Sequence, residues 1–190
     1  MFIETETTPN PNSLKFLPRR MVMENGTAEF TNQSEAMKKS PLAGSLLTIE
    51  GIEKVFFGKD FIAITKQETR QWEHLKPLIL GIIMEHFVKD IPLFIEKDDK
   101  FFQDISEEFF EEKDTQTVQM IKEILETRVR PALAQDGGDV QFRAFKNNVV
   151  YLHMRGACAG CPSAHATLKQ GIENLLRHFL PDVKSVEAIE

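Results

Sequence analysis

The chain contains two cysteines, Cys158 and Cys161, and two residues separate them. Two thiolates at this spacing can bind a soft metal ion or react together as a dithiol. A tetrahedral zinc site or a cysteine-ligated iron-sulfur cluster normally has four protein ligands. The pair therefore amounts to half of such a metal site.

The residues around the pair predict a turn that leads into a helix. Proline is tolerated in the first helical turn, so Pro162 predicts position N1 and Cys161 the N-cap. There both sulfurs are expected to face unpaired amides and the positive end of the helix dipole, which favours the thiolate. Gly156 and Gly160 have no side chains, so backbone amides can approach a bound ligand. A turn built in this way can hold a metal cluster near the protein surface, and neither thiol is expected to anchor the core.

Spacing alone leaves four interpretations open: a dithiol redox centre, half of a zinc site, half of an iron-sulfur site, and a pair without a chemical role. A thioredoxin-like centre is expected in a βαβ unit, whereas a predicted hairpin precedes this pair. Zinc requires two further nitrogen or sulfur ligands. A CxxC dithiol oxidoreductase, with Cys158 as nucleophile and Cys161 as resolving thiol, is kept as the alternative function.

The histidines offer few additional ligands. His165 follows Cys161 by four residues on the predicted helix and is the one expected within reach, although a solvent-facing side chain is its more ordinary interpretation. His153 lies in a predicted strand and His178 far along the same helix. His74 and His86 belong to the other domain. The missing ligands more economically come from a second copy of the same turn, which predicts a homodimer around a shared site.

The excess of negative charge lies in one short segment. The formal net charge is -6, and residues 96–114 hold nine acidic and three basic side chains, which leaves 20 of each sign elsewhere. This composition predicts an acidic linker and offers no basic stripe for nucleic acid. Its four phenylalanines are expected to lie back on a domain surface, and an adaptor that acts through this segment and the first domain is a further alternative.

The rest of the composition predicts a protein of a reducing compartment without a membrane partner. No stretch approaches the roughly 18 apolar residues of a membrane span. A CxxC pair is not a disulfide framework for a secreted domain. We expect the bacterial cytoplasm, or the mitochondrial matrix for a processed organellar form.

The hydrophobic pattern predicts an α+β protein made of two small α/β domains, at residues 1–90 and 114–190, joined by the linker at 91–113. The first domain is expected to have strands at 1–6 and 13–17, helices at 34–40 and 42–47, a hairpin at 52–57 and 61–66, and a helix at 71–89. The second is expected to have the order α-β-β-α-β, with a helix at 117–130, a hairpin at 140–145 and 149–154, a helix at 162–179 and a strand at 183–189.

Motifs typical of enzymes are missing from the chain. Gly137-Gly138 lacks the companions of a phosphate-binding loop and is interpreted as a helix stop. No G-x-S-x-G elbow is present, and the clustered carboxylates fall in the linker. The sequence therefore predicts a protein that is not an enzyme.

Several stretches resemble one known family. RPALAQDGGD at 130–139, GACAGCPS at 156–163 and TLKQGIE at 167–173 resemble the C-terminal domain of NifU-type iron-sulfur cluster scaffold and carrier proteins. TETTPNPNSLKF at 5–16 and VFFGKDF at 55–61 resemble the dedicated N-terminal domain of its Nfu-type members. The resemblance covers nearly the whole chain outside the linker.

The resemblance implies a function and a ligand set. In this family the CxxC thiolates of two protomers hold a 4Fe-4S cluster, so Cys158 and Cys161 are expected to be the cluster and metal ligands. The cluster is then handed to client apoproteins, and upstream cluster assembly machinery supplies it. The N-terminal domain is expected to recognise partners or to tune delivery. Residues 164–166, Ala-His-Ala, depart from the small hydroxyl residues common in relatives, which could alter hydrogen bonding to the cluster.

Overall fold

A computed structural model describes residues 2–95, 108–159 and 162–189, with the backbone alone at 162–165. The chain forms two compact units, Met1–Asp104 and Ile105–Glu190, and both mix helices with sheets. The α+β class predicted from the sequence is confirmed. Phe101 and Phe102 of the predicted linker lie outside the described residues.

The N-terminal unit is built around an antiparallel sheet of five strands in the order β1-β2-β5-β4-β3. The predicted strands and helices of this half are present, and a short strand that was not predicted, β3, is added at one edge. The elements are β1 (Glu4–Thr7), β2 (Ser13–Leu17), β3 (Ala28–Phe30), α1 (Gln33–Lys39), α2 (Pro41–Leu47), β4 (Ile52–Phe57), β5 (Ile62–Lys66) and α3 (Trp72–Val88).

Alternating residues of the sheet supply the core of this unit. Phe16, Val55 and Ile64 come from three neighbouring strands, and each is fully buried. Because side chains alternate between faces along a strand, these apolar positions lie on one face. Leu46 of α2 and Ile79 of α3 belong to the same apolar cluster. The helices therefore cover one face of the sheet.

The proline-containing turn between β1 and β2 is held by polar contacts. The Asn12 backbone N–H donates to Asn10 Oδ1 at 3.0 Å, and Lys66 Nζ donates to Asn12 Oδ1 at 3.1 Å. Trp72 Nε1 donates to the Pro11 carbonyl at 3.2 Å. These bonds fasten the turn to β5 and to the start of α3.

The C-terminal unit has the predicted order α-β-β-α-β. Its sheet has the order β6-β7-β8, with β6 and β7 antiparallel and β7 and β8 parallel. Asn147 and Asn148 form the two-residue connection between β6 and β7 with φ of 53° and 66°, as tight hairpins require. The elements are α4 (Thr115–Ile124), α5 (Arg130–Gln135), β6 (Gly138–Lys146), β7 (Val149–Gly156), α6 (Pro162–Phe179) and β8 (Ser185–Ile189).

A π-helical turn, Leu125–Val129, joins α4 to α5, so the helical region extends beyond its predicted end at residue 130. The Arg130 N–H donates to the Leu125 carbonyl, five residues back. Proline lacks an N–H and its ring clashes with the carbonyl four residues earlier. The wider turn just before Pro131 accommodates that clash. The helix ends at Gln135, and Gly137, which follows its cap, has a φ of 78° that favours glycine.

The described ends of the predicted linker contact the unit next to each of them. Phe94 lies 6.5 Å from the Phe30 ring and 6.3 Å from the Phe57 ring, centroid to centroid. The Phe109 N–H donates to the carbonyl of Arg143 in β6 at 2.9 Å. Both ends of this segment therefore pack on folded structure.

The outer strand of the C-terminal sheet is closed by a side chain. The Val186 N–H of β8 donates to Glu173 Oε2 of α6 at 3.0 Å. Lys169, one turn earlier on α6, pairs with Glu187 at 2.7 Å. The helix thus occupies one hydrogen-bonding position on this sheet edge.

Among the described helices, none is long and apolar enough to cross a bilayer.

Candidate metal centre

Cys158 lies in the short loop between the end of β7 at Gly156 and the start of α6 at Pro162. Its side chain is 6% exposed and belongs to the apolar core of the C-terminal unit. This corrects the expectation that the thiol lies near the surface and leaves the core unanchored. The reason is the direction of the loop: Gly156 has a φ of 66°, and the Ala157 N–H bonds back to Gly137, just before β6.

The two glycines before β6 have different roles. Gly137 ends the helix through its positive φ, as the sequence interpretation of a helix stop requires. Gly138 leaves room for Cys158, because a Cβ added there would lie 2.3 Å from Cys158 Sγ and 2.9 Å from the Arg155 carbonyl oxygen. The helix-stop interpretation accounts for the first glycine, and the packing of the thiol accounts for the second.

Backbone pairing holds the cysteine loop against the start of β6. Gly138 pairs with Gly156 in the β6–β7 ladder, and Asp139 pairs with Arg155. The Ala157 N–H donates to the Gly137 carbonyl at 3.1 Å. The position of Cys158 therefore depends on the short segment that follows α5.

A buried ion pair fixes that segment. Arg130 Nε donates to Asp139 Oδ1 at 2.8 Å and Nη2 donates to Oδ2 at 2.9 Å. Asp139 is 3% exposed. The hydrogen bonds from Arg130 to Asp139 raise the pKa of the guanidinium further above its usual value, against the opposing effect of burial, and Glu126 adds to the rise. A bidentate pair of this kind fixes orientation as well as distance.

Arg130 and Asp139 belong to a stretch that resembles the family, and the sequence alone indicates no role for either residue. A signal was available, because an arginine and an aspartate of opposite charge flank the glycine pair at the end of a predicted helix. Their spacing of nine residues crosses a helix end, so no helical or strand periodicity connects them. Only the fold shows that they meet.

The other candidate ligands fall in different parts of the chain, and some lie outside the described residues. Cys161 and the side chain of His165 lie outside the described residues. His153 lies in β7, where its Nδ1 is 2.9 Å from Arg143 Nη2. His178 lies near the end of α6, and His86 is buried in the N-terminal unit. Among the described residues, no group of three or more histidine, cysteine or acidic side chains could hold a metal ion.

Comparison with known proteins gives a match across both units. A family model described as the Nfu/NifU scaffold protein N-terminal domain matches residues 3–90, and a NifU-like domain model matches residues 121–187. The human mitochondrial NFU1 iron-sulfur cluster scaffold homolog is 45% identical over 190 residues, which cover 100% of this chain and 72% of that protein. This chain belongs to the Nfu/NifU family of iron-sulfur cluster scaffold proteins.

Other members of the Nfu/NifU family match to a similar degree. Mitochondrial NifU-like protein 4 of Arabidopsis thaliana is 47% identical over 189 residues, which cover 98% of this chain and 65% of that protein. The chain therefore spans about two thirds of that relative's length. The solution structure of a NifU-like protein from Saccharomyces cerevisiae is 27% identical with a TM-score of 0.46, covering 51% of this chain and 87% of that one.

Proposed function

We propose that this protein carries a 4Fe-4S cluster held between two copies of the chain, with Cys158 and Cys161 of each copy as ligands, and that it transfers the cluster to client apoproteins. The observation that carries the proposal is the presence of only two cysteines, placed at a strand-to-helix turn in a chain of the Nfu/NifU family. Thiolates are the usual ligands of such clusters, and four are needed. Two copies supply that number.

Burial of Cys158 adds a step to this function. A thiol that is 6% exposed in the single chain cannot reach a cluster shared with another copy until its side chain moves outward. Loading therefore includes displacement of Cys158 from the core, and release of the cluster allows it to return. The same burial argues against the dithiol oxidoreductase, since nucleophilic cysteines are partly exposed.

The partners follow from the carrier role. They are a second copy of the chain, client apo iron-sulfur proteins, and the upstream assembly machinery that supplies the cluster. The N-terminal unit is proposed to recognise these partners or to tune delivery. The names of the relatives favour a mitochondrial location over the bacterial cytoplasm, and immunodetection in fractionated cells of the source organism tests this choice.

Anaerobic reconstitution with iron and sulfide tests the function directly. The protein should become coloured and dimeric, with about four iron and four sulfide per dimer. Mössbauer spectroscopy and sedimentation on one sample measure cluster type and stoichiometry together. A folded protein that stays colourless and monomeric under these conditions would contradict the proposal. Thiol-disulfide turnover by the apo protein would favour the oxidoreductase instead.

A further inference from the structure

We propose that Gly138 is a positioning residue for Cys158: its missing side chain keeps the thiol buried in the cluster-free protein. This inference rests on the proposed function for the role of Cys158 as a ligand. The backbone at Gly138 is not in the left-handed region that favours glycine, in contrast to Gly137 and Gly156. Space, rather than backbone conformation, therefore excludes a side chain at this position.

The contacts show which group must yield if that space is filled. A Cβ at position 138 would lie 2.3 Å from Cys158 Sγ, 2.9 Å from Cys158 Cβ and 2.9 Å from the Arg155 carbonyl oxygen. The carbonyl belongs to β7, which pairs here with Asp139 of β6, so it moves with difficulty. Sγ is the closest of the three atoms and rotates about one bond. A methyl group at 138 would therefore displace the thiol first.

The surroundings of Gly138 are held firmly enough to direct that displacement. Gly138 pairs with Gly156 across the ladder, and the Gly137 carbonyl accepts from the Ala157 N–H at 3.1 Å. The next residue, Asp139, is fixed by its two hydrogen bonds from Arg130. Because these links restrain the backbone on both sides of the loop, crowding at 138 acts mainly on the Cys158 side chain.

Thiol alkylation in the cluster-free, full-length protein tests this inference. In the Cys161→Ser background Cys158 is the one remaining thiol, so the rate of reaction with iodoacetamide reports its exposure alone. Gly138→Ala should raise this rate by about fivefold or more, because overpacking a core position typically costs energy equivalent to at least that factor. Gly171→Ala is the matched control in the same unit, since a Cβ there meets nothing within 4 Å.

Two outcomes would overturn the positioning role. One is alkylation of Cys158 in the folded parent as fast as in urea. The other is an equal, unchanged rate in Gly138→Ala and Gly171→Ala. If Gly138→Ala fails to fold, Cys158→Gly in the same chain should restore folding by removing both Sγ and Cβ of Cys158, and failure of this rescue would also contradict the role.

The alkylation test is independent of cluster binding. If the rates behave as expected but reconstitution yields no cluster, the positioning role stands and the carrier function falls. If the cluster binds but the alkylation rates do not change, the carrier function stands and the positioning role is contradicted. A visible circular dichroism spectrum of reconstituted Gly138→Ala adds a second readout, because a displaced ligand alters the cluster signal whereas a lower stability alone does not.

Discussion

Arg130 and Asp139 are joined by two parallel hydrogen bonds, 2.8 Å and 2.9 Å long, that cross the end of a helix and the start of a strand. The carboxylate is almost fully buried, while the arginine side chain is 30% exposed. The two bonds therefore tie the start of α5 to β6, the strand that supports the cysteine loop. Loss of the Arg130–Asp139 ion pair should alter the position of Cys158, although neither side chain is a predicted ligand.

Arg130→Gln should destabilise the C-terminal unit by about 2–4 kcal/mol, because it removes the guanidinium that donates two hydrogen bonds to the buried Asp139 carboxylate. Hydrogen exchange of that unit measures the loss. Lys169→Gln is the control, since it breaks a more exposed pair with Glu187 and should cost less than about 1 kcal/mol. Equal losses in the two variants would show that the Arg130 pair behaves as an ordinary surface contact.

Cys158→Ser and Cys161→Ser should each abolish stable cluster binding, measured as iron and sulfide per dimer after reconstitution. The two variants should differ in stability. Because Cys158 packs in the apolar core, a hydroxyl there is expected to cost about 1 kcal/mol or more. Cys158→Ala avoids burying that hydroxyl and should still lose the cluster. A double variant that bound cluster stoichiometrically would refute the ligand assignment.

The N-terminal unit should lose stability as the pH falls below about 6.5. Burial, with a smaller contribution from Arg20, lowers the pKa of His86 from its usual value of 6.5. The unfolded chain then binds more protons than the folded one, so stability is fully present above 6.5 and declines as His86 is forced to charge. Among the described side chains, His86 Nε2 is a buried polar atom without a hydrogen-bond partner.

His86→Leu should flatten this pH dependence, and fluorescence of Trp72, the single tryptophan, follows unfolding of this unit. His74→Gln, at an exposed position earlier on α3, is the control and should leave the slope as in the parent. An unchanged slope in His86→Leu would assign the acid sensitivity to other groups.

A chain lacking residues 1–95 should still assemble a cluster, because Cys158 and the apolar cluster around it belong to the C-terminal unit. Circular dichroism checks that the fragment folds before reconstitution. Transfer to a client apoprotein should be slower if the N-terminal unit recognises partners. Loss of cluster binding by a folded fragment would instead show that the N-terminal unit takes part in holding the cluster.

Local patterns predicted most of the elements because they act over a few residues. The proline at 162 marks the start of α6, and the asparagines at 147 and 148 give the β6–β7 connection. Strand β3 was missed because it has three residues and pairs with β4, more than twenty residues later. The extension past Pro131 was missed because a π-helical turn overrides the usual helix-breaking effect of proline.

The site was predicted less completely than the fold. The CxxC spacing indicates half of a metal site, but exposure of Cys158 depends on the direction of the chain after Gly156. That direction is set by pairing with β6, a contact that no sequence period reveals. The sequence likewise predicts Gly138 to be part of a helix stop, and only the structure shows that the Cys158 thiol lies next to it.

The hydrogen bond that Glu173 of α6 accepts from the outer strand β8 affects how copies of the protein can associate. An uncovered edge invites a second copy to extend the sheet, and repeated extension produces fibres rather than closed dimers. With the Val186 amide already engaged, such growth is disfavoured on this side of the C-terminal unit. If two copies share a cluster as proposed, this hydrogen bond would favour closed dimers over open-ended polymer at this edge.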